Sequence, residues 1–180
     1  MKTKHILILL IFLSSLFATC KKPVVYPKEP KIDFLQIIVK DTTDGLGNTI
    51  KNFSIYFKVF DGDGDFGIMD NDTLVEHYGD SIYKNNFFIT LYYQGTQGDT
   101  LVYPLEMDLN GAIPWSEPVG INQYYKATVI WDLQVPKLPQ TLLLKFYVID
   151  RHLNKSNEQQ TPWIEQDFRG VMVDTTVIIK

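Results

Sequence analysis

Seven short runs rich in β-branched and aromatic residues recur along the chain, and they constrain its fold more than any other feature. Turn-forming residues separate the runs, and the length of each run suits a strand. In residues 53–60 every odd-numbered position is apolar, so these side chains share one face of an extended segment. The seven runs are residues 32–39, 53–60, 87–93, 101–107, 124–131, 142–149 and 171–179.

This rhythm predicts an all-β protein built as a two-sheet sandwich. Over residues 32–180 it resembles immunoglobulin-like and fibronectin type III-like domains, which implies a seven-stranded immunoglobulin-like β-sandwich. Residues 146–151 and 154–157 add to the resemblance, because they are similar to the penultimate strand and turn of bacterial immunoglobulin-like repeats. Residues 73–76, in the long connection 61–86, match the pattern of a capping box. This connection could therefore contain one short helix or be a loop throughout.

The N-terminus has the layout of a bacterial export signal. Two lysines precede an apolar run of about a dozen residues from Ile6 to Phe17. At about 1.5 Å per residue, this run is too short to span a bilayer core of about 30 Å. Residues 16–20 resemble a lipobox, the sequence recognised by lipoprotein signal peptidase, although Phe17 and Thr19 depart from its usual residues. The resemblance implies cleavage before Cys20 and a lipid on the Cys20 thiol.

Cys20 is the only cysteine in the 180 residues, so no intrachain disulfide can form. Cleavage near Ala18 by an ordinary signal peptidase would leave one unpaired thiol without a purpose in an exported protein. We therefore expect residues 1–19 to be a lipoprotein signal peptide, residues 20–31 a lipidated cysteine with a Pro- and Lys-rich tether, and residues 32–180 the folded domain. The expected location is the outer membrane of the cell envelope, with the lipid on Cys20 making the membrane contact.

The charge balance excludes one class of partner. The chain has 17 basic and 21 acidic residues, and the signal peptide contains two of the basic ones, so its net charge of −4 becomes −6 after cleavage. An acidic chain has no general attraction to nucleic acid, and we expect no nucleic-acid partner.

The most specific internal motif follows the second run directly and reads Asp-Gly-Asp-Gly-Asp-Phe-Gly over residues 61–67, here called the acidic loop. Three carboxylates at alternate positions, with glycines between them, suit a loop that wraps oxygen ligands round Ca²⁺. The loop resembles calcium loops of the Asp-x-Asp-x-Asp kind. It departs from the EF-hand, which needs glycine where this chain has Phe66 and glutamate where it has Asp72. It is also similar to an Asp-x-Asp-Gly-Asp-x-Gly loop of exported lipoproteins of unknown function.

In the immunoglobulin strand order, the second and sixth runs would end at the same pole of the sandwich. The candidate metal ligands are therefore Asp61, Asp63, Asp65 and, at the end of the sixth run, Asp150. The tether would enter at this pole, where a bound cation would stiffen its junction with the domain. A metal-free turn is the alternative, since Asp and Gly are common turn formers. Against it, three close carboxylates repel one another when no cation is present.

Two tryptophans are candidate ligand-binding residues. Trp115 and Trp163 lie in Pro-containing stretches between the runs, and flat aromatic rings suit the faces of sugars. The sequence has no nucleophile elbow and no zinc-binding His motif, and it does not nominate the two carboxylates of a glycosidase. We therefore expect a binding or structural module for an envelope protein or glycan, not an enzyme. Carbohydrate binding is the first alternative function, and hydrolysis is the other.

Overall fold

The computed structural model describes residues 25–69, 85–105, 107–117, 124–135 and 141–173. All regular structure in these residues is β-strand, and they contain no helix that is long and apolar enough to cross a membrane. The prediction of an all-β protein is confirmed. The strands are β1 (Lys31–Thr43), β2 (Thr49–Asp61), β3 (Phe87–Gln94), β4 (Thr100–Val102), β5 (Tyr125–Val135), β6 (Thr141–Val148), β7 (Gln159–Gln160), β8 (Ile164–Glu165) and β9 (Gly170–Val173).

The strands form two sheets in which every pairing is antiparallel. The first sheet has the order β5-β2-β1-β9, and the second has the order β4-β3-β6-β7, with β8 also pairing with β6. The longest pairing is the hairpin of β1 and β2. Its turn is shaped by Asp44, whose Oδ1 accepts hydrogen bonds from the backbone N–H of Leu46 (2.9 Å) and of Asn48 (2.8 Å).

Each predicted run contributes to one strand, but the described residues hold nine strands, not seven. The two additional strands, β7 and β8, have two residues each and no alternation long enough to predict them. The run 101–107 pairs only at its start, because Pro104 has no N–H to continue the ladder. The helix considered at 73–76 and beyond lies outside the described residues.

Phenylalanine side chains from both sheets meet in the core. Phe57 of the first sheet stacks on Phe87 of the second, with ring centroids 5.3 Å apart, and lies 5.3 Å from Phe146. Phe34 contacts Phe146 edge to face at 6.2 Å. These four rings are at most 2% exposed. Because the chain cannot form an intrachain disulfide, noncovalent packing of these rings contributes strongly to holding the two sheets together.

Replacing Phe57 with alanine tests the role of this core. We expect Phe57→Ala to lower the free energy of unfolding by about 4 kcal/mol, because it removes a fully buried ring between the sheets. The measurement is urea unfolding followed by fluorescence. Phe88→Ala is the matched control, since Phe88 is half-buried and stacks on Tyr147 on the outer face. Equal losses in the two variants would contradict this account of the core.

Candidate metal site at one pole of the sandwich

The acidic loop and the end of β6 lie at the same pole, although they belong to different sheets. A chain of backbone and side-chain hydrogen bonds connects them. The N–H of Ile68 donates to the carbonyl of Ile113 (3.0 Å), which also accepts from the side chain of Asn86 (3.1 Å). The carbonyl of Asn86 in turn accepts from the N–H of Ile149 (3.0 Å). These contacts bring Asp150 next to the acidic loop.

Asp61 is the innermost carboxylate of the site. It is the last residue of β2 and continues that strand's inward-facing alternation, so it is 0% exposed. Its Oδ2 accepts a hydrogen bond from the N–H of Phe66 (2.9 Å). Its Oδ1 is buried and has no hydrogen-bond partner in the described part of the chain. A buried acceptor without a hydrogen bond lowers the stability of a folded protein by about 1–3 kcal/mol, and a bound cation would offset that loss.

A group of potential metal ligands lies close together and consists of Asp63, Asp65 and His152. Their potential ligand atoms all lie within 4.8 Å of one another. Nδ1 of His152 contacts Oδ2 of Asp65, whereas Oδ1 of Asp65 is buried without a hydrogen-bond partner in the residues described. The Asp65 side chain is 14% exposed and the His152 side chain is 70% exposed. The carboxylate of Asp65 is therefore mostly enclosed by the protein, whereas the imidazole of His152 is mostly in contact with solvent.

Asp150 has a different local role from the three loop aspartates. Its Oδ1 and Oδ2 each accept a hydrogen bond of 2.8 Å from Asn154, one from the backbone N–H and one from the side-chain amide. These bonds shape the turn after β6. Asp150 is 3% exposed, and its negative charge still acts on Asp65. The structure thus brings all four predicted aspartates to one pole, with Asp150 behind the other three.

The carboxylates perturb one another's ionisation. Burial raises the pKa of Asp61 to about 8, and the close approach and negative charge of Asp63 and Asp65 add to this rise. Burial also raises the pKa of Asp65, followed in importance by the charge of Asp150, and the contact with His152 opposes this rise. A divalent cation would remove the repulsion and displace the proton of Asp61.

The tether contacts the acidic loop directly. The N–H of Gly62 donates a 2.8 Å hydrogen bond to the carbonyl of Pro27, and a Cβ at position 62 would lie 2.4 Å from the carbonyl oxygens of Tyr26 and Pro27. Only glycine permits this approach. The Tyr26 ring packs on Phe60 at 5.3 Å and on Tyr124 at 5.1 Å. The last tether residues therefore lie against the loop that carries the carboxylates.

The two candidate tryptophans are not brought together. Trp115 packs its backbone against Gly67 of the acidic loop and donates its N–H to the carbonyl of Ile68 (2.9 Å). Trp163 precedes β8, which pairs with the start of β6 and therefore lies at the opposite pole. The two residues form no joint platform, and ligand binding by either one stays a prediction.

Two residues of functional interest were missed in the sequence. His152 has no distinguishing spacing, because its contact with Asp65 spans 87 positions and arises only from the fold. Lys51 could have been found, since it lies on the same inward-facing alternation of β2 as Phe53 and Phe57. A charged residue at an inward position requires a buried partner.

Comparisons with family models, with curated proteins and with solved structures found no match for this chain. The candidate site therefore rests on the chemistry of its residues. A pocket of carboxylate oxygens with one imidazole can hold a divalent cation, and it contains no nucleophile paired with a base.

The raised pKa of Asp61 predicts a specific pH dependence of stability in the presence of a chelator. In the folded state Asp61 keeps its proton up to about pH 8, whereas the ordinary pKa of an aspartate, 3.8, applies in the unfolded chain. Between these values the unfolded state binds fewer protons, so stability falls as the pH rises. We expect Asp61→Asn to reduce this slope and Asp99→Asn, in an exposed loop, to preserve it. Urea unfolding at several pH values measures both, and identical slopes in wild type and Asp61→Asn would refute the assignment.

Proposed function

We propose that the protein is a lipid-anchored component of the bacterial outer membrane that acts without catalysis, as a binding or structural module. We further propose that Ca²⁺ in the acidic loop stiffens the junction between tether and domain. The observation that carries this proposal is the buried Oδ1 of Asp61, which has no hydrogen-bond partner among the described residues. The carboxylates of Asp63 and Asp65 lie close to Asp61. The next residue, Gly62, contacts the tether.

The donor set favours Ca²⁺ over a transition metal. Ca²⁺ binds six to eight oxygen atoms in flexible geometry, and the side chains of Asp61, Asp63 and Asp65 supply carboxylate oxygens from one short loop. Zn²⁺ prefers sulfur and nitrogen ligands, and His152 is the only such ligand in the described cluster. His152 is largely exposed and contacts Asp65 through Nδ1, so a bound cation could displace its imidazole into solvent.

The strand order supports an immunoglobulin-like identity. With the seven predicted runs lettered A to G, the first sheet contains A, B and E as β1, β2 and β5, and the second contains C and F as β3 and β6. The seventh run, β9, pairs with β1 in the first sheet, whereas the last strand of an immunoglobulin-like domain pairs with the sixth, and only the short β7 lies beside β6 here. The fourth strand pairs with β3 and not with β5, which is a departure from the constant-type order.

The anchor is proposed from the sequence, since residues 1–24 lie outside the described part of the chain. We expect the wild-type protein, expressed in a bacterium that processes lipoproteins, to fractionate with membranes. We expect Cys20→Ala to release it into the soluble envelope fraction, because the lipid is the proposed membrane contact. Ser15→Ala, a change inside the export signal that leaves the cysteine intact, is the control. Membrane association that survives Cys20→Ala would disprove the anchor.

Calcium binding is tested by thermal unfolding of the full-length protein. We expect Ca²⁺ to raise the Tm relative to a chelated sample, because it binds only the folded loop. Asp63→Asn should reduce this shift, since it removes one negative charge from the site without changing side-chain size. Asp99→Asn, which alters an exposed acidic residue elsewhere, should keep the full shift.

Limited proteolysis then separates the two parts of the calcium proposal. A cation that stiffens the junction should slow cleavage at Lys28, which follows the Pro27 contact with Gly62. A Tm shift with unchanged cleavage would leave a calcium site without the stiffening role. No Tm shift with Ca²⁺, or an undiminished shift in Asp63→Asn, would contradict the site itself.

A further inference from the structure

At the pole opposite the acidic loop, a groove of about 500 Å³ lies over the segment that joins β8 to β9. We call it the distal groove. It combines aromatic and apolar side chains with carboxylates and a guanidinium. Its lining residues are Trp163, Glu165, Asp167, Phe168, Arg169 and Met172. Trp163 is 40% exposed, so one rim of the groove is an open aromatic ring.

The backbone under the groove is held in a defined shape by Arg169. Its Nη1 donates to three successive carbonyls, those of Gln166, Asp167 and Phe168. Its Nε pairs with Asp41 of β1. A further hydrogen bond of 3.0 Å from the N–H of Phe168 to the carbonyl of Glu165 closes the turn. The segment is therefore preorganised before any ligand arrives.

Lys51 supports the same segment from inside the sandwich. Its Nζ donates to the carbonyl of Phe168 (3.1 Å) and pairs with Asp41 (3.0 Å). Lys51 is only 8% exposed, and burying an ammonium group is costly unless it is fully paired. A buried lysine that holds a surface turn in place is difficult to explain by stability alone, because an apolar residue would bury more cheaply.

We propose that the distal groove binds a pyranose ring of a neutral glycan. The partly exposed indole of Trp163 suits the C–H face of a sugar ring, and the exposed carboxylates of Glu165 and Asp167 can accept hydrogen bonds from hydroxyl groups. The two carboxylates repel acidic glycans. A cationic peptide is the competing class of ligand, because aromatic rings and carboxylates also bind cations.

The test uses the purified full-length protein and isothermal titration calorimetry. The probes are neutral hexasaccharides of glucose, of mannose and of N-acetylglucosamine, with hexalysine as the cationic competitor. We expect at least one hexasaccharide to bind, and Trp163→Ala to weaken its affinity by about tenfold. Phe88→Ala is the control, because Phe88 stacks on Tyr147 near the end of β6 that is remote from the groove. It should leave the affinity unchanged.

Two further measurements separate this proposal from a loss of folding and from the calcium proposal. Asp167→Asn retains the shape of the groove, and it should weaken sugar binding while the Tm stays that of the wild type. A chelator should not change the affinity, since the acidic loop is at the opposite pole. Failure of all three sugars to bind, binding of hexalysine in their place, or undiminished binding by Trp163→Ala would overturn the proposal.

Discussion

The contact between Phe57 and Phe87 joins the two sheets, and the rest of the structure depends on it. Without a disulfide, packing of this kind holds the sheets together, aided by hydrogen bonds of Asn157 and Gln159 to the backbone of β1. The register then decides which loops share a pole. Because β2 and β6 are fixed across the core, the acidic loop that follows one strand lies beside the turn that follows the other.

The inward face of β2 connects the core to both poles. Its buried positions are apolar through the middle of the strand, but Lys51 is near one end and Asp61 is at the other. Each is a charged residue placed at the edge of a hydrophobic core. Lys51 is paired with Asp41 and with a backbone carbonyl, which makes its pole rigid. Asp61 is surrounded by other carboxylates, which raises its pKa and leaves one oxygen without a partner.

This asymmetry gives the two poles different chemistry. The pole with the acidic loop accumulates negative charge next to the tether, and a cation would reduce the repulsion there. At the distal pole, Lys51 and Arg169 both pair with Asp41, and Trp163 is exposed to solvent. One pole is therefore suited to control the attachment of the domain, and the other is suited to contact a ligand.

The sequence by itself determined the all-β class, the positions of the main strands and the alternation that buries Phe53, Phe57 and Asp61, because side-chain direction in a strand depends only on local period. It also supplied the grouping of Asp61, Asp63 and Asp65, which are neighbours in the chain. Only the tertiary structure decided that His152 meets Asp65, that Arg169 meets Asp41, and that Trp115 and Trp163 lie at opposite poles. These relations join residues far apart in the chain, and the packing of the two sheets sets them.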